Sequence, residues 1–507
     1  MPPAPPADRL RAVLDLTVPA VRDSAGRHEY DGVVQDLSDD AVRRGLARLG
    51  GAPLEDPLEE AHLTAVERRL RAELGTAQLH RRSPRPLLAA LDLSVYDKPY
   101  AAVEERTTAR ARHLAGWPDA IDAALGTLDL VSAAAARALL PAVRGAASVV
   151  SPDEPGGRQA LAAHARLVGH LERCAEHGEA DPALGAEVLA ALMADGAPEH
   201  PDLGALADIA TRERDRLQGW VAECCERLQP GRMPAEVLAE LVLDHPTAEG
   251  VIDEARALTA EVLAFVRDAD LLDDDGGECL VQPSPPSRRW ATAMMIWAAP
   301  YEPDGPSVFA ITPPDPTWPA DQQRKWLRAA SRTTLPSTTA HEVAPGHFTH
   351  GRALRRVTGD VRRSLHSSYT VEGWAHYAEE LMVEVGFRRD DPRFALGVAL
   401  KALMRVTRLT AALGVHTAGM TVEQATELFE RDAHLQGPAA RGEALRAVID
   451  PTYGRYTLGK LAVLDVRERA RQRWGDAFTL RRFHRAVLSL GAPPVGLLEA
   501  ALDEPLG

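Results

Sequence analysis

The sequence predicts a mostly α-helical protein carrying one small β-sheet. From Arg9 to about Leu272 the chain is dominated by Ala, Leu, Arg and Glu, with apolar residues recurring at the intervals that gather them on one helix face. Strand-like runs are scarce beside this. Ala293–Ala299 and Ser307–Thr312 are the clear ones, short and apolar, separated by a turn rich in Pro, Asp and Gly.

The Pro-rich start, Met1-Pro2-Pro3-Ala4-Pro5-Pro6, is expected to form a disordered tip over residues 1–8. A helical lobe follows over residues 9–284. Its clearest helices are Arg158–Glu176, Leu206–Leu228 and Ala235–Leu272, the last interrupted at His245-Pro246 because proline removes a backbone donor. The Pro and Gly cluster Ser151–Gly157 reads as a loop, and no fixed period suggests a solenoid. Asp273–Glu278 lacks the ligand spacing and terminal Glu of a calcium loop and reads as a solvated turn. Pro283-Ser284-Pro285-Pro286 marks a soft boundary, after which residues 285–507 form the metal-binding region, interlocked with the lobe as one compact unit. There, Pro392–Leu413 reads as a long helix, and Thr421-Val422-Glu423-Gln424 has the capping-box form that opens another. Helices over Ala439–Val448 and Leu458–Trp474 and a closing pair near Phe483–Leu502 complete the chain.

With 507 residues the chain exceeds what one compact core needs, which suggests two or three lobes. A net charge of −15 argues against nucleic-acid or anionic-membrane partners, which would favour a basic face. No run of eighteen apolar residues and no signal-peptide pattern is present, so a cytoplasmic location is expected. Cys174, Cys224, Cys225 and Cys279 lack metal-site spacing and read as buried thiols of a reducing compartment. Nothing in the sequence fixes the oligomeric state.

The chemistry concentrates in two segments: Thr338-Thr339-Ala340-His341-Glu342-Val343-Ala344-Pro345-Gly346-His347 and Val371-Glu372-Gly373-Trp374-Ala375-His376-Tyr377. A catalytic zinc takes three protein ligands, usually two His and one carboxylate in peptidases, and leaves a fourth position to water. The common device is H-E-x-x-H, whereas here four residues separate His341-Glu342 from His347. On an unbroken helix, six positions at about 100° each would set the two imidazoles roughly 120° apart. Pro345-Gly346 is expected to break the helix after Ala344 and restore their convergence. The third ligand should come from a neighbouring helix, and Glu372, 25 residues after His347, leaves room for a turn at Thr358-Gly359-Asp360. Glu342 would take a proton from the metal-activated water and pass it to the leaving amine.

With those residues the chain resembles the domain of unknown function 885 family, placed among thermolysin-like zinc metallopeptidases, which carries H-E-x-x-P-G-H and then E-G-W-A-x-Y-x-E. His341, Glu342, Pro345, Gly346 and His347 match the first motif; Glu372, Gly373, Trp374, Ala375, Tyr377 and Glu379 match the second. Asp450–Leu461, Phe483-His484 and Gly491–Val495 are similar to the family's late blocks. The likeness is specific over about residues 285–507; upstream it rests on length and helical character. It implies a multi-helix zincin-like peptidase, with two helical lobes around a deep cleft, a small sheet next to the metal, and zinc held by His341, His347 and Glu372. By analogy with helical peptidases the cleft would admit short peptide substrates. Endopeptidase, carboxypeptidase and dipeptidase activities all stay open.

For the oxyanion donor the first choice is Tyr456 and the second Tyr453. Arg455 is a candidate for a substrate carboxylate. His350, where the family often has Gln, and His376 each share a face with a proposed ligand and read as its supports or as substrate contacts, with ligation as the alternative. Glu379 or Glu380 could hold a ligating imidazole by its other nitrogen, with an exposed helix face as the equal alternative. If Val308–Thr312 forms a sheet edge beside the metal, an extended peptide could add to it as a strand. Two other readings remain: a helical binding or scaffold protein that keeps the fold without turnover, and a two-His, one-carboxylate iron enzyme. Glu342 weighs against both.

Overall fold

Helical spacing in the sequence becomes helix along most of the chain. The structure, a computed structural model, describes residues 8–273, 276–289, 291–302 and 305–503. Residues 1–7 of the expected tip lie outside the described residues, as do Asp274 and Asp275 of the acidic turn, and Asp8 already opens the helix Asp8–Asp15. The long helices are Val103–Leu125, Gly157–His177, Leu203–Leu228, Val251–Asp268, Ser368–Glu384, Pro392–Thr417 and Arg455–Trp474. The expected interruption at His245-Pro246 separates Pro234–Leu241 from Val251–Asp268. The capping box forms as its residues demand: Thr421 Oγ1 accepts from the Gln424 N–H, and Gln424 Oε1 accepts from the Thr421 N–H at 2.9 Å.

The largest apolar core crosses the sequence boundary near residue 284. Trp117, Leu167 and Leu217 from N-terminal helices pack with Leu403, Val406 and Leu409 of Pro392–Thr417 and with Ala444 and Val448 of Pro438–Ile449. Burying such side chains contributes on the order of 1.5–3 kcal/mol each. A second core lies under the sheet, where Val281, Phe309 and Ile311 meet Val343, Ala344, Phe348 and Val398. It seats the metal-motif helices on a rigid floor.

The sheet has three strands: β1 (Cys279–Pro283), β2 (Ala293–Ile296) and β3 (Ser307–Ile311), in the order β1-β3-β2. β1 lies parallel to β3, Cys279 opposite Ser307, and β2 lies antiparallel to it, Met295 opposite Phe309. Two expectations change here. β1 is a strand that the sequence concealed, a five-residue run between an acidic turn and a Pro cluster, and its pairing makes β3 central. The strand with a free side next to the metal motif is therefore β2 and not Val308–Thr312.

Among the described residues no helix is long and apolar enough to cross a membrane.

Candidate metal centre

The motif helix does break before Pro345-Gly346, but at Glu342, two residues ahead of the break expected after Ala344. Leu335–Glu342 is helical, Val343 leaves helical geometry at φ −104°, ψ −90°, and a new helix, His347–Leu354, starts after Gly346 at φ −78°, ψ −132°. The Ala344–Pro345 peptide is cis. Gly346 passes so close to the preceding turn that a Cβ there would overlap the His341 carbonyl, which is why a residue without one stands at this position. The polar groups freed by the break are satisfied: Trp374 Nε1 donates to the Pro345 carbonyl at 2.8 Å, and Thr349 Oγ1 donates to it at 2.6 Å. The Trp of the second segment thus clamps the loop of the first.

The break turns the two imidazoles toward each other. Their ring centroids lie 4.7 Å apart at an interplanar angle of 81°. Glu372 Oε2 stands 3.5 Å from His341 Nε2 and 3.5 Å from His347 Nε2, and the three ligand atoms all fall within 4.8 Å of one another. Two ligands held about 2.1 Å from one tetrahedral centre stand about 3.4 Å apart, so the donor types and the two 3.5 Å separations fit zinc. Among the described residues this is the one group of His, Cys, Asp and Glu that converges in this way.

Behind His341, fully buried Glu379 accepts from its Nδ1 at 2.7 Å. Glu379 is held below its ordinary carboxyl pKa, because the Arg405 guanidinium at 2.7 Å and His341 outweigh burial, which acts the other way. An ionised carboxylate only accepts, so Nδ1 carries the proton and Nε2 keeps its lone pair free for a cation; Arg405 Nη2, 3.2 Å from Nδ1, is a close neighbour of that pair. Replacing Glu379 with Gln is expected to weaken zinc binding about 10- to 100-fold, measured by competition with a chelator, while circular dichroism stays unchanged. Unaltered affinity would show that the pair does not support the ligand. His347 is held by ring packing instead, against His341 and edge-on to Trp297 at 6.3 Å.

Burial and the Arg405 charge push the His341 pKa down, but Glu372 and Glu379 overcome both and raise it to about 9. A ligating imidazole must be neutral. Metal uptake below that pKa must therefore displace a proton, and apparent zinc affinity is expected to strengthen about tenfold per pH unit between pH 6 and 8. Titrations in two buffers of different ionisation enthalpy would count the released proton.

Glu342 follows His341 at the end of the helix, and its Oε2 accepts from the Met295 backbone N–H of β2 at 2.8 Å. The contact fixes the carboxylate against the free side of the strand. Tyr456 lies across the site, partly exposed, with no hydrogen-bond partner for its hydroxyl among the described residues. Its pKa is raised by burial and then by the nearby Glu372 charge. A Gly–Gly crossing sets that proximity: a Cβ on Gly373 would overlap the Gly459 backbone, and one on Gly459 would overlap the Tyr369 carbonyl, so Ser368–Glu384 and Arg455–Trp474 touch there.

The sequence profile of DUF885, described as "Bacterial protein of unknown function (DUF885)", matches residues 19–502. The chain belongs to the DUF885 family. No curated protein matches it. Among solved structures, "a putative lipoprotein of unknown function" from Shewanella oneidensis shares 20% identity and superposes with a TM-score of 0.77, covering 97% of this chain and 97% of that one. A "putative lipoprotein" from Colwellia psychrerythraea, 18% identical, gives a TM-score of 0.80 over 98% and 96%. At such identities the likeness establishes a shared fold.

In this DUF885 chain the remaining candidates take other places. His350 turns from the cation position and binds the Gly491 carbonyl through Nε2 at 3.1 Å; burial drives its pKa down to about 3. His376 approaches the Tyr456 carbonyl through Nδ1 at 3.3 Å, so both histidines pack around the ligands and neither joins them. Tyr453 is fully buried with its hydroxyl on Glu443, which also receives Arg408, so it has no hydroxyl to offer a substrate. Arg455 is taken up by Asp450 through both terminal nitrogens, one at 2.9 Å. Glu380 pairs with Lys460 and Arg216, leaving Glu379 as the imidazole partner. Sequence reasoning missed Arg405 and Trp297. Arg405 did leave a signal, since Lys401, Arg405 and Arg408 interrupt an otherwise apolar helix at one-turn spacing.

Proposed function

We propose that this protein is a zinc metallopeptidase that hydrolyses short peptides, with a zincin-like arrangement of two helical lobes around a cleft. One observation carries the reading: His341 Nε2, His347 Nε2 and Glu372 Oε2 converge, with Glu342 adjoining the first ligand. When bound there, zinc would lower the pKa of a coordinated water toward about 7 and polarise the scissile carbonyl. Glu342 accepts the water proton and delivers it to the leaving amine; its Oε2 is steadied by Met295, which leaves Oε1 for the transfer. Tyr456 donates its hydroxyl hydrogen to the oxygen that gains charge. The outward backbone groups of β2 other than the Met295 N–H, which Glu342 takes, would offer an extended substrate strand-like hydrogen bonds.

Tyr456→Phe is expected to lower kcat about 100- to 1,000-fold with KM little changed, because the lost bond strengthens only as charge develops. A kcat within twofold of the parent would remove Tyr456 from the mechanism. The overall reading is tested by metal analysis of protein purified without added metal, together with mass-spectrometric profiling of a mixed peptide library. Zinc near one equivalent with metal-dependent cleavage supports it. Iron as the bound metal, or zinc with no cleavage of any peptide, would point to the iron enzyme or to the inactive scaffold.

A further inference from the structure

The cations that line the centre are almost all consumed by carboxylates. Arg405 pairs with Glu379, Arg408 with Glu443 and Arg455 with Asp450. Lys401, on the same helix one turn before Arg405, is the exception: it is partly buried, yet no carboxylate lies within ion-pair distance of its ammonium among the described residues. Its position follows from the packing of two helices that run in the same direction. At one end Gly397 abuts the Thr333 carbonyl, where a Cβ would overlap it, and at the other Arg405 reaches His341. The span between them carries Lys401 alongside Leu335–Glu342, within electrostatic reach of Glu379 and Glu342.

An unpaired ammonium withdrawn from water is costly unless a partner arrives. Burial does lower the pKa of Lys401, with the Arg405 charge adding to the effect, as expected of a cation short of counter-charge. Its two acidic neighbours are already engaged, Glu379 by His341 and Arg405, and Glu342 by the Met295 N–H.

We infer that Lys401 anchors a carboxylate of the peptide substrate, at the chain terminus or on an acidic side chain, beside Glu342. This rests on the peptidase reading and deepens it, because a terminal anchor would make the enzyme a carboxypeptidase or a dipeptidase.

The test compares kcat/KM for N-benzoyl-Gly-Leu and its C-terminal amide, and for N-benzoyl-Gly-Glu amide and N-benzoyl-Gly-Gln amide, in the zinc-loaded parent and in Lys401→Met and Lys401→Arg. One charge-assisted hydrogen bond predicts a carboxylate preference of about ten- to hundredfold in the parent. That preference should collapse to about one in Lys401→Met and persist in Lys401→Arg. A preference in the first pair assigns the terminus, and one in the second assigns the side chain. No preference in either pair, or an equal preference in Lys401→Met, overturns the inference; a general electrostatic role would slow acid and amide alike and leave the ratio intact. Calorimetric binding of the same first pair with the scissile amide reduced to CH2–NH reads the ratio without turnover. If nothing is hydrolysed, the peptidase reading fails, while the binding ratio still decides Lys401.

Discussion

Replacing Glu342 with Gln is expected to abolish most peptide hydrolysis while leaving zinc in place. The reason is geometric as well as chemical. Gln keeps a carbonyl oxygen where Glu342 Oε2 now accepts from the Met295 N–H, so the side chain stays pinned to β2 and the adjoining His341 is undisturbed. What disappears is the ability to accept a proton. General-base catalysis contributes roughly a hundred- to ten-thousand-fold, so kcat should fall by that order with KM close to the parent's. Zinc content by plasma emission and a matched melting temperature would show that the loss is chemical. Turnover near the parent's would remove Glu342 from the reaction, and loss of zinc would make it a ligand.

The second large effect lies away from the ligands. Gly459→Ala should both destabilise the protein and cripple catalysis, although alanine is by intrinsic propensity about 1 kcal/mol better than glycine inside a helix. A Cβ at residue 459 would meet the Tyr369 carbonyl and the Gly373 Cα, backbone atoms that no rotamer change can move aside. Relief therefore requires the helices Ser368–Glu384 and Arg455–Trp474 to separate, at a cost of about 1–3 kcal/mol. One helix carries Glu372, next to Gly373, and the other carries Tyr456, one turn before Gly459. A displacement of about 1 Å between reacting groups can cost on the order of a hundredfold in rate. Urea denaturation and steady-state kinetics on the same sample would measure both losses. A variant more stable than the parent would show that propensity wins and that the crossing tolerates a methyl group.

The elements read best from the sequence are those whose causes are local. Thr421 and Gln424 specify their own capping box within four residues, and Pro345-Gly346 stop a helix wherever the remainder of the chain lies. Motif spacing also named His341, His347 and Glu372, but their convergence needed the break between two helices and the packing of a third. Helix periodicity narrowed the imidazole's partner to Glu379 or Glu380, adjacent residues pointing about 100° apart. Choosing between them required Arg405 on one side and Lys460 on the other, both brought there by tertiary packing. β1 escaped for a related reason: a parallel strand is stabilised by a neighbour that the chain reaches only after a long connection, here from Pro283 to Ser307.

The sequence by itself determined a helical protein, the break in its motif helix, and the three side chains able to share a cation. Only the tertiary structure decided which edge of the sheet adjoins the metal motif, which carboxylate backs His341, and which cations near the centre are already spent. The physical reason is that propensity, capping and ligand spacing act within a few residues. Strand order and charge pairing depend on groups far apart in the chain, such as Glu213 and Lys460, 247 positions apart, which meet once the apolar cores have closed.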